Sequence, residues 1–197
     1  MNKKYELTDE TLEWNVRTLH RIRALVDFGD VKAGELGGWI EKEENLSHNG
    51  DAWVYDNAWV YGNALVFSDA RVYGNALVFS DAWVYDNAWV YGNARVYGNA
   101  RVYGNARVYG NAWVYSDAEI FKTSDYFTSG PIGSRGDTIT FFRCKDGKIR
   151  ATTGCFCGDL DQLEAAVRRT HENNNYAKAY MWIIAAAKAQ IGADQNV

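Results

Sequence analysis

Asn99-Ala100-Arg101-Val102-Tyr103-Gly104 is one of twelve six-residue phrases that run without a gap from Asp51 to Lys122 and decide the fold of this chain. Each phrase opens on Asn or Asp, then Ala, a variable residue, Val (Ile120 in the last copy), and Tyr or Phe. It closes on Gly, Ser or Asp in every copy but the last, which ends on Lys122. In an extended segment alternate side chains point to opposite sides, so Val faces one way and its two neighbours the other. The closing and opening residues tolerate left-handed backbone angles and hydrogen-bond locally, which makes them corners. A unit this short cannot bury its apolar face alone. It must stack on its neighbours with backbone groups paired from coil to coil.

The phrase resembles the hexapeptide-repeat proteins, whose left-handed parallel β-helix uses three hexads per triangular coil. That resemblance implies four coils from twelve hexads, a prism roughly 20 Å long at a strand spacing of about 4.8 Å. Gly38-Trp39-Ile40 and Leu46-Ser47-His48 read as a fainter preceding coil. Stacking every eighteenth residue sets up three outer columns: Trp53, Arg71, Trp89, Arg107; Trp59, Leu77, Arg95, Trp113; and Leu65, Trp83, Arg101, Glu119. Beside each runs a second column of Tyr and Phe.

Seventeen outward rings at roughly 150 Å² each amount to more than 2,000 Å² of apolar surface. Monomers seldom leave contiguous patches beyond a few hundred Å². A homo-oligomer is therefore expected, with Trp53, Trp59, Tyr61, Trp83, Trp89, Tyr91 and Trp113 at the interface, and the family resemblance implies a trimer.

The expected fold class is mainly β. Residues 1–38 form an amino-terminal β cap, residues 39–122 the left-handed parallel β-helix, and residues 123–197 a small α+β domain with a core of its own. Arg17 to Val26 alternates as a strand suited to covering the open end of the prism, since a stack of open strands is an aggregation template. Asp27-Phe28-Gly29-Asp30, Leu36-Gly37-Gly38-Trp39 and Asn45-Leu46-Ser47-His48 resemble the opening of a phage and prophage group of hexapeptide proteins. Past Lys122, Thr138 to Arg143 and Lys148 to Thr152 read as a hairpin turning at Asp146-Gly147. Asp159 with Gln162 reads as a capping box for one helix, and Tyr176, Tyr180, Ile184, Ala187 and Ile191 step along a second.

The 197 residues carry a net charge of −4, which argues against general nucleic-acid binding. Nothing in the sequence resembles a signal peptide or a membrane span, since no apolar run approaches 18 residues, and three cysteines confined to Cys144–Cys157 lead us to expect a reducing cytoplasm. Metal binding by Cys144, Cys155, Cys157 and His171 is disfavoured because the paired Cys-x-x-Cys knuckle is missing. No cofactor is expected. Gly130 to Gly136 supplies backbone amides, a hydroxyl and a guanidinium suited to an oxyanion. Ser134, Arg135, Arg143, Lys148, Thr152 and Thr153 are the candidate contacts for a small anionic or nucleotide-like ligand. The phage resemblance sharpens this to sequestration of a signalling nucleotide.

Two other functions compete. Many hexapeptide β-helices are acyl-CoA-dependent acyltransferases with a general-base histidine near the subunit seam, but the twelve hexads contain neither a histidine nor an inserted loop. The third reading is a structural spacer or protein-docking module. No catalytic residue is assigned.

Overall fold

In the computed structural model, which describes residues 3–192, each hexad contributes one two-residue strand. The chain begins with β1 (Tyr5–Trp14), β2 (Arg17–Ala24) and β3 (Leu36–Ile40). Twelve short strands follow, from β4 (Trp53–Val54) to β15 (Glu119–Ile120), one per hexad. They pair in parallel, each with the strand eighteen residues on, as in Trp89 with Arg107 and Val90 with Val108. The columns are those of the hexad register: β4-β7-β10-β13, β6-β9-β12-β15, and β5-β8-β11-β14.

The inside and outside of the coil follow from alternation. Every hexad Ala and Val, with Ile120, is at most 1% exposed. The closing residue of each hexad from Asp56 to Ser116 sits at positive φ, between 53° and 72°, as a left-handed corner requires. Outside, the rings stack along the axis: Phe79 and Tyr97 lie 4.7 Å apart at an interplanar angle of 3°, and Tyr73 and Tyr91 lie 4.8 Å apart at 2°.

The fainter preceding coil is real. Trp39 pairs with Trp59, and Leu46 bridges to Val66, so the parallel β-solenoid has about five turns. β3 also pairs antiparallel with β2, which pairs with β1, joining the cap to one solenoid face in a seven-stranded sheet.

Beyond the solenoid lie β16 (Tyr126–Ile132), β17 (Asp137–Arg143), β18 (Ile149–Thr153) and β19 (Phe156–Asp159), an antiparallel sheet in that order. Helices α1 (Leu160–His171) and α2 (Asn175–Gly192) pack on one of its faces. The capping box forms: Gln162 N–H donates to Asp159 Oδ1 at 2.9 Å, and Asp159 N–H to Gln162 Oε1 at 3.0 Å. No helix among the described residues is long and apolar enough to cross a membrane.

Two expectations need correction. Trp53 was placed on an open outer column and at an oligomer interface, yet it is fully buried. Phe28 and Tyr5 cover its indole, with ring centroids 5.3 and 6.0 Å away. The carboxy-terminal core is not wholly separate either. Phe141 and Ile139 pack with the helices, but Tyr126, Phe142 and Cys144 face the other way and complete the core of the solenoid.

Candidate functional site: the junction cleft

Strand alternation in β17 and β18 decides what looks at the solenoid. Thr140 pairs with Thr152 and Ile139 with Thr153. Ile139 belongs to the helix-side core, so Thr138, Thr140 and Thr152 share the opposite face. Thr140 Oγ1 accepts from the Trp113 backbone N–H at 3.1 Å, which docks the sheet against the end of one solenoid face. Between them opens a cleft of about 290 Å³, lined by Asn93, Arg95, Asn111 and Trp113 of the solenoid and by Asp137, Thr138, Thr140, Thr152, Thr153 and Gly154 of the sheet. That is the lower end of the volume range of small-ligand sites.

Within it, the Arg95 guanidinium lies 4.8 Å from the Trp113 ring centroid. A cation over an indole face is held there electrostatically, so the exposed charge at the cleft mouth is preorganised. Thr152 Oγ1 donates to the Phe156 carbonyl at 3.3 Å. It also neighbours the Tyr115 hydroxyl, whose pKa is pushed up by burial and by the adjacent Cys157. Across the rim Asp137 Oδ2 accepts from Arg135 Nε at 3.0 Å.

The candidate contacts read from the sequence separate into two groups. Thr152, Thr153 and Arg135 reach this cleft or its rim, Arg135 through its ion pair with Asp137 and its approach to Gly154. Thr153 turns its hydroxyl toward Tyr180, and Ser134 is exposed on the turn before β17. Arg143 is held by other partners: its Nε meets Asp125 Oδ1 at 3.0 Å and its Nη2 donates to the Ile191 carbonyl. It ties β17 to α2 and to the end of the solenoid, away from this cleft. Lys148 and Arg143 line a different depression of about 380 Å³ with Lys188, Asp159 and Asp161. Arg95 and Trp113, which hexad register sets eighteen residues apart on one column, are not among the ligand contacts read from the sequence, where Trp113 is an expected interface residue. Nothing in the sequence says which face the sheet docks against.

The histidines lie outside the cleft. Lys4 N–H donates to His48 Nδ1 at 3.3 Å, which leaves the proton of the neutral ring on Nε2. That ring stacks on Tyr5 at 4.3 Å. His20 Nδ1 approaches the Thr8 carbonyl at 3.3 Å, and His171 stacks on Tyr180 at 5.7 Å. Of the cysteines, Cys144 is buried against the solenoid end, while Cys155 and Cys157 are exposed beside Arg135 and Tyr115. No group of three or more His, Cys, Asp or Glu among the described residues is arranged to hold a metal ion.

Comparison with known proteins places the similarity in the repeats. The YdcK β-solenoid repeat family model matches residues 70–86, 88–102 and 100–116. Over 62 residues the chain is 37% identical to the uncharacterized acetyltransferase YdcK of Escherichia coli (strain K12). That match covers 27% of this chain and 19% of the relative.

Proposed function

We propose that this chain, a hexapeptide-repeat β-helix protein with solenoid repeats of the YdcK type, binds a small anionic ligand in the junction cleft and holds it without turning it over. The observation that carries the reading is the Arg95 guanidinium, positioned 4.8 Å from the Trp113 ring at the mouth of a cleft walled by threonine hydroxyls. A fixed cation beside neutral donors suits a carboxylate or phosphate. In its sharpest form the ligand is a nucleotide-like signal, and the protein is a phage-type sponge that lowers its free concentration in the host cytoplasm.

Self-association belongs to the same proposal. Once Trp53 is removed from the surface, and with Trp59 and Tyr61 contacted by Trp14 and Arg17 of the cap, the rings left for an interface are Trp83, Trp89, Tyr91 and Trp113. Packing of three prisms through such faces is the arrangement the family resemblance implies.

The test is calorimetric titration with nucleoside monophosphates, cyclic nucleotides, ADP-ribose and coenzyme A, on samples whose mass is measured by light scattering. A ligand recovered chemically unaltered, affinity lost in Arg95→Ala, and a mass of three chains are expected. Acyl transfer is the second reading, motivated by the acetyltransferase name of the YdcK relative. It needs a general base within reach of substrate, whereas His48 presents a donor in the tautomer its backbone contact selects. Coenzyme-A-dependent thiol release that disappears in His48→Ala would favour that reading over capture.

A further inference from the structure

The cleft carries both signs of charge, a cation on its solenoid wall and a carboxylate on its sheet wall, and this division restricts the chemistry of its occupant beyond charge alone. Two donors stand at one end. The first is Arg95. The second comes from an amide ladder on the neighbouring corner, where Asn75 Nδ2 donates to Asn93 Oδ1 at 3.4 Å and Asn93 Nδ2 to Asn111 Oδ1 at 3.2 Å. The ladder ends at Asn111, since the chain eighteen residues further on lies in β16 of the sheet. Asn111 Nδ2, with two N–H groups, has no acceptor among the described residues and lies at the cleft wall beside Arg95. Polarity inherited from the ladder thus delivers unused donors next to the guanidinium.

The other end is acceptor-rich. Asp137 lines the cleft on the sheet side, and one of its oxygens is taken by Arg135. With its charge balanced by Arg135, the remaining carboxylate oxygen rewards a ligand that brings hydroxyl donors. Thr138 on the same wall can both give and accept hydrogen bonds. Both sides line one cleft of about 290 Å³, so both can be met by one small molecule.

We propose that the cleft selects an anionic polyol, a phosphorylated sugar or the sugar-phosphate part of a nucleotide. The oxyanion sits on Arg95 and Asn111, and the hydroxyls donate to Asp137. This rests on the anion-binding reading above and deepens it. The experiment is calorimetric titration of the full chain with inorganic phosphate, ribose, ribose 5-phosphate and 2-deoxyribose 5-phosphate, in wild type, Arg95→Ala and Asp137→Asn. Ribose 5-phosphate is expected to bind about tenfold or more tightly than phosphate, with the deoxy analogue weaker, because a site built to receive a hydroxyl penalises its absence. Asp137→Asn should bring ribose 5-phosphate down toward phosphate while phosphate itself binds no worse. Equal affinity for phosphate and both sugar phosphates, or indifference to Asp137→Asn, overturns the polyol inference and leaves the anion site standing. Undiminished phosphate binding in Arg95→Ala, or no binding of any of the four, overturns both. Melting curves of each variant, expected to overlay wild type because both residues are partly solvated, show that any loss is not unfolding.

Discussion

Trp53, Trp59, Trp83, Trp89 and Trp113 occupy one position of the hexad, and their fates differ. Trp113 is 38% exposed, whereas Trp53 is 0% exposed. The hexad dictates which way a side chain leaves the coil. It does not say what lies over it. Trp53 tops its column, where Phe28 and Tyr5 close over it and Gly37 lies so near that a β-carbon there would stand 2.7 Å from the indole. Trp53→Ala therefore opens a cavity in a sealed core and is expected to cost about 3–5 kcal/mol. Trp113→Ala, whose side chain is partly exposed on the wall of the junction cleft, is expected to cost less than about 1 kcal/mol. Urea denaturation of the two variants reads the difference, and equal losses would mean that the cap does not seal the first coil. Arg143 teaches the same lesson with charge: the guanidinium is visible in the sequence, but its partners Asp125 and Ile191 come from elements whose docking is not.

At the level of elements, the repeats were legible because strand, corner and interior follow from one six-residue rule, the β17–β18 hairpin from its turn, α1 from its capping box and α2 from its apolar spacing. β1, β16 and β19 were not. β16 contains Gly130-Pro131, which reads as a loop, and a proline without an N–H is accommodated because β16 is an edge strand. The two ends of the solenoid obey a further rule, set by ladder polarity. Each coil donates N–H groups to carbonyls of the next, as Trp89 does to Ala106 at 2.9 Å. The first coils are left with unsatisfied carbonyls and the last with unsatisfied N–H groups. The amino-terminal segment accordingly supplies donors: Lys4 Nζ to the Gly50 and Ala52 carbonyls at 3.1 and 2.8 Å, and Asn45 Nδ2 to those of Gly62 and Ala64 at 3.1 and 2.9 Å. The carboxy-terminal segment supplies acceptors, Thr140 Oγ1 for Trp113 and Thr123 Oγ1 for Arg107. Asn45→Asp keeps the shape and removes the donor, leaving a buried carboxylate against two carbonyls. A loss of about 2–4 kcal/mol in denaturant unfolding is expected, and a neutral result would show that the carbonyls reach water.

Over the whole molecule the solenoid core runs from Tyr5 in the cap to Phe142 and Cys144 in the sheet, so groups at both ends report on one cooperative unit. Lys4 is buried, and its pKa is lowered to about 8 by desolvation. Against roughly 10.4 in the unfolded chain, the folded chain releases this proton first, and stability rises with pH from about 8 to 10. Cys144 acts oppositely: burial raises its thiol to about 11, while an unfolded thiol ionises near 8.5. Its contribution falls over nearly the same interval, and the two shifts offset. The tyrosines then decide the outcome. Burial raises the phenols of Tyr5, Tyr55, Tyr61, Tyr97, Tyr115 and Tyr126, among others. Each raised group stabilises the fold fully below its unfolded pKa near 10, and that stabilisation is lost as pH climbs toward the folded value. Melting temperature is expected to stay level between pH 8 and about 9.5 and to drop steeply above pH 10. Tyrosinate absorbance should appear together with loss of the far-ultraviolet strand signal, in one cooperative step. A smooth tyrosinate titration centred near pH 10 with the strand signal intact would show that the stacked rings are no better shielded than free tyrosine, and that the ladder contributes little to holding the coils together.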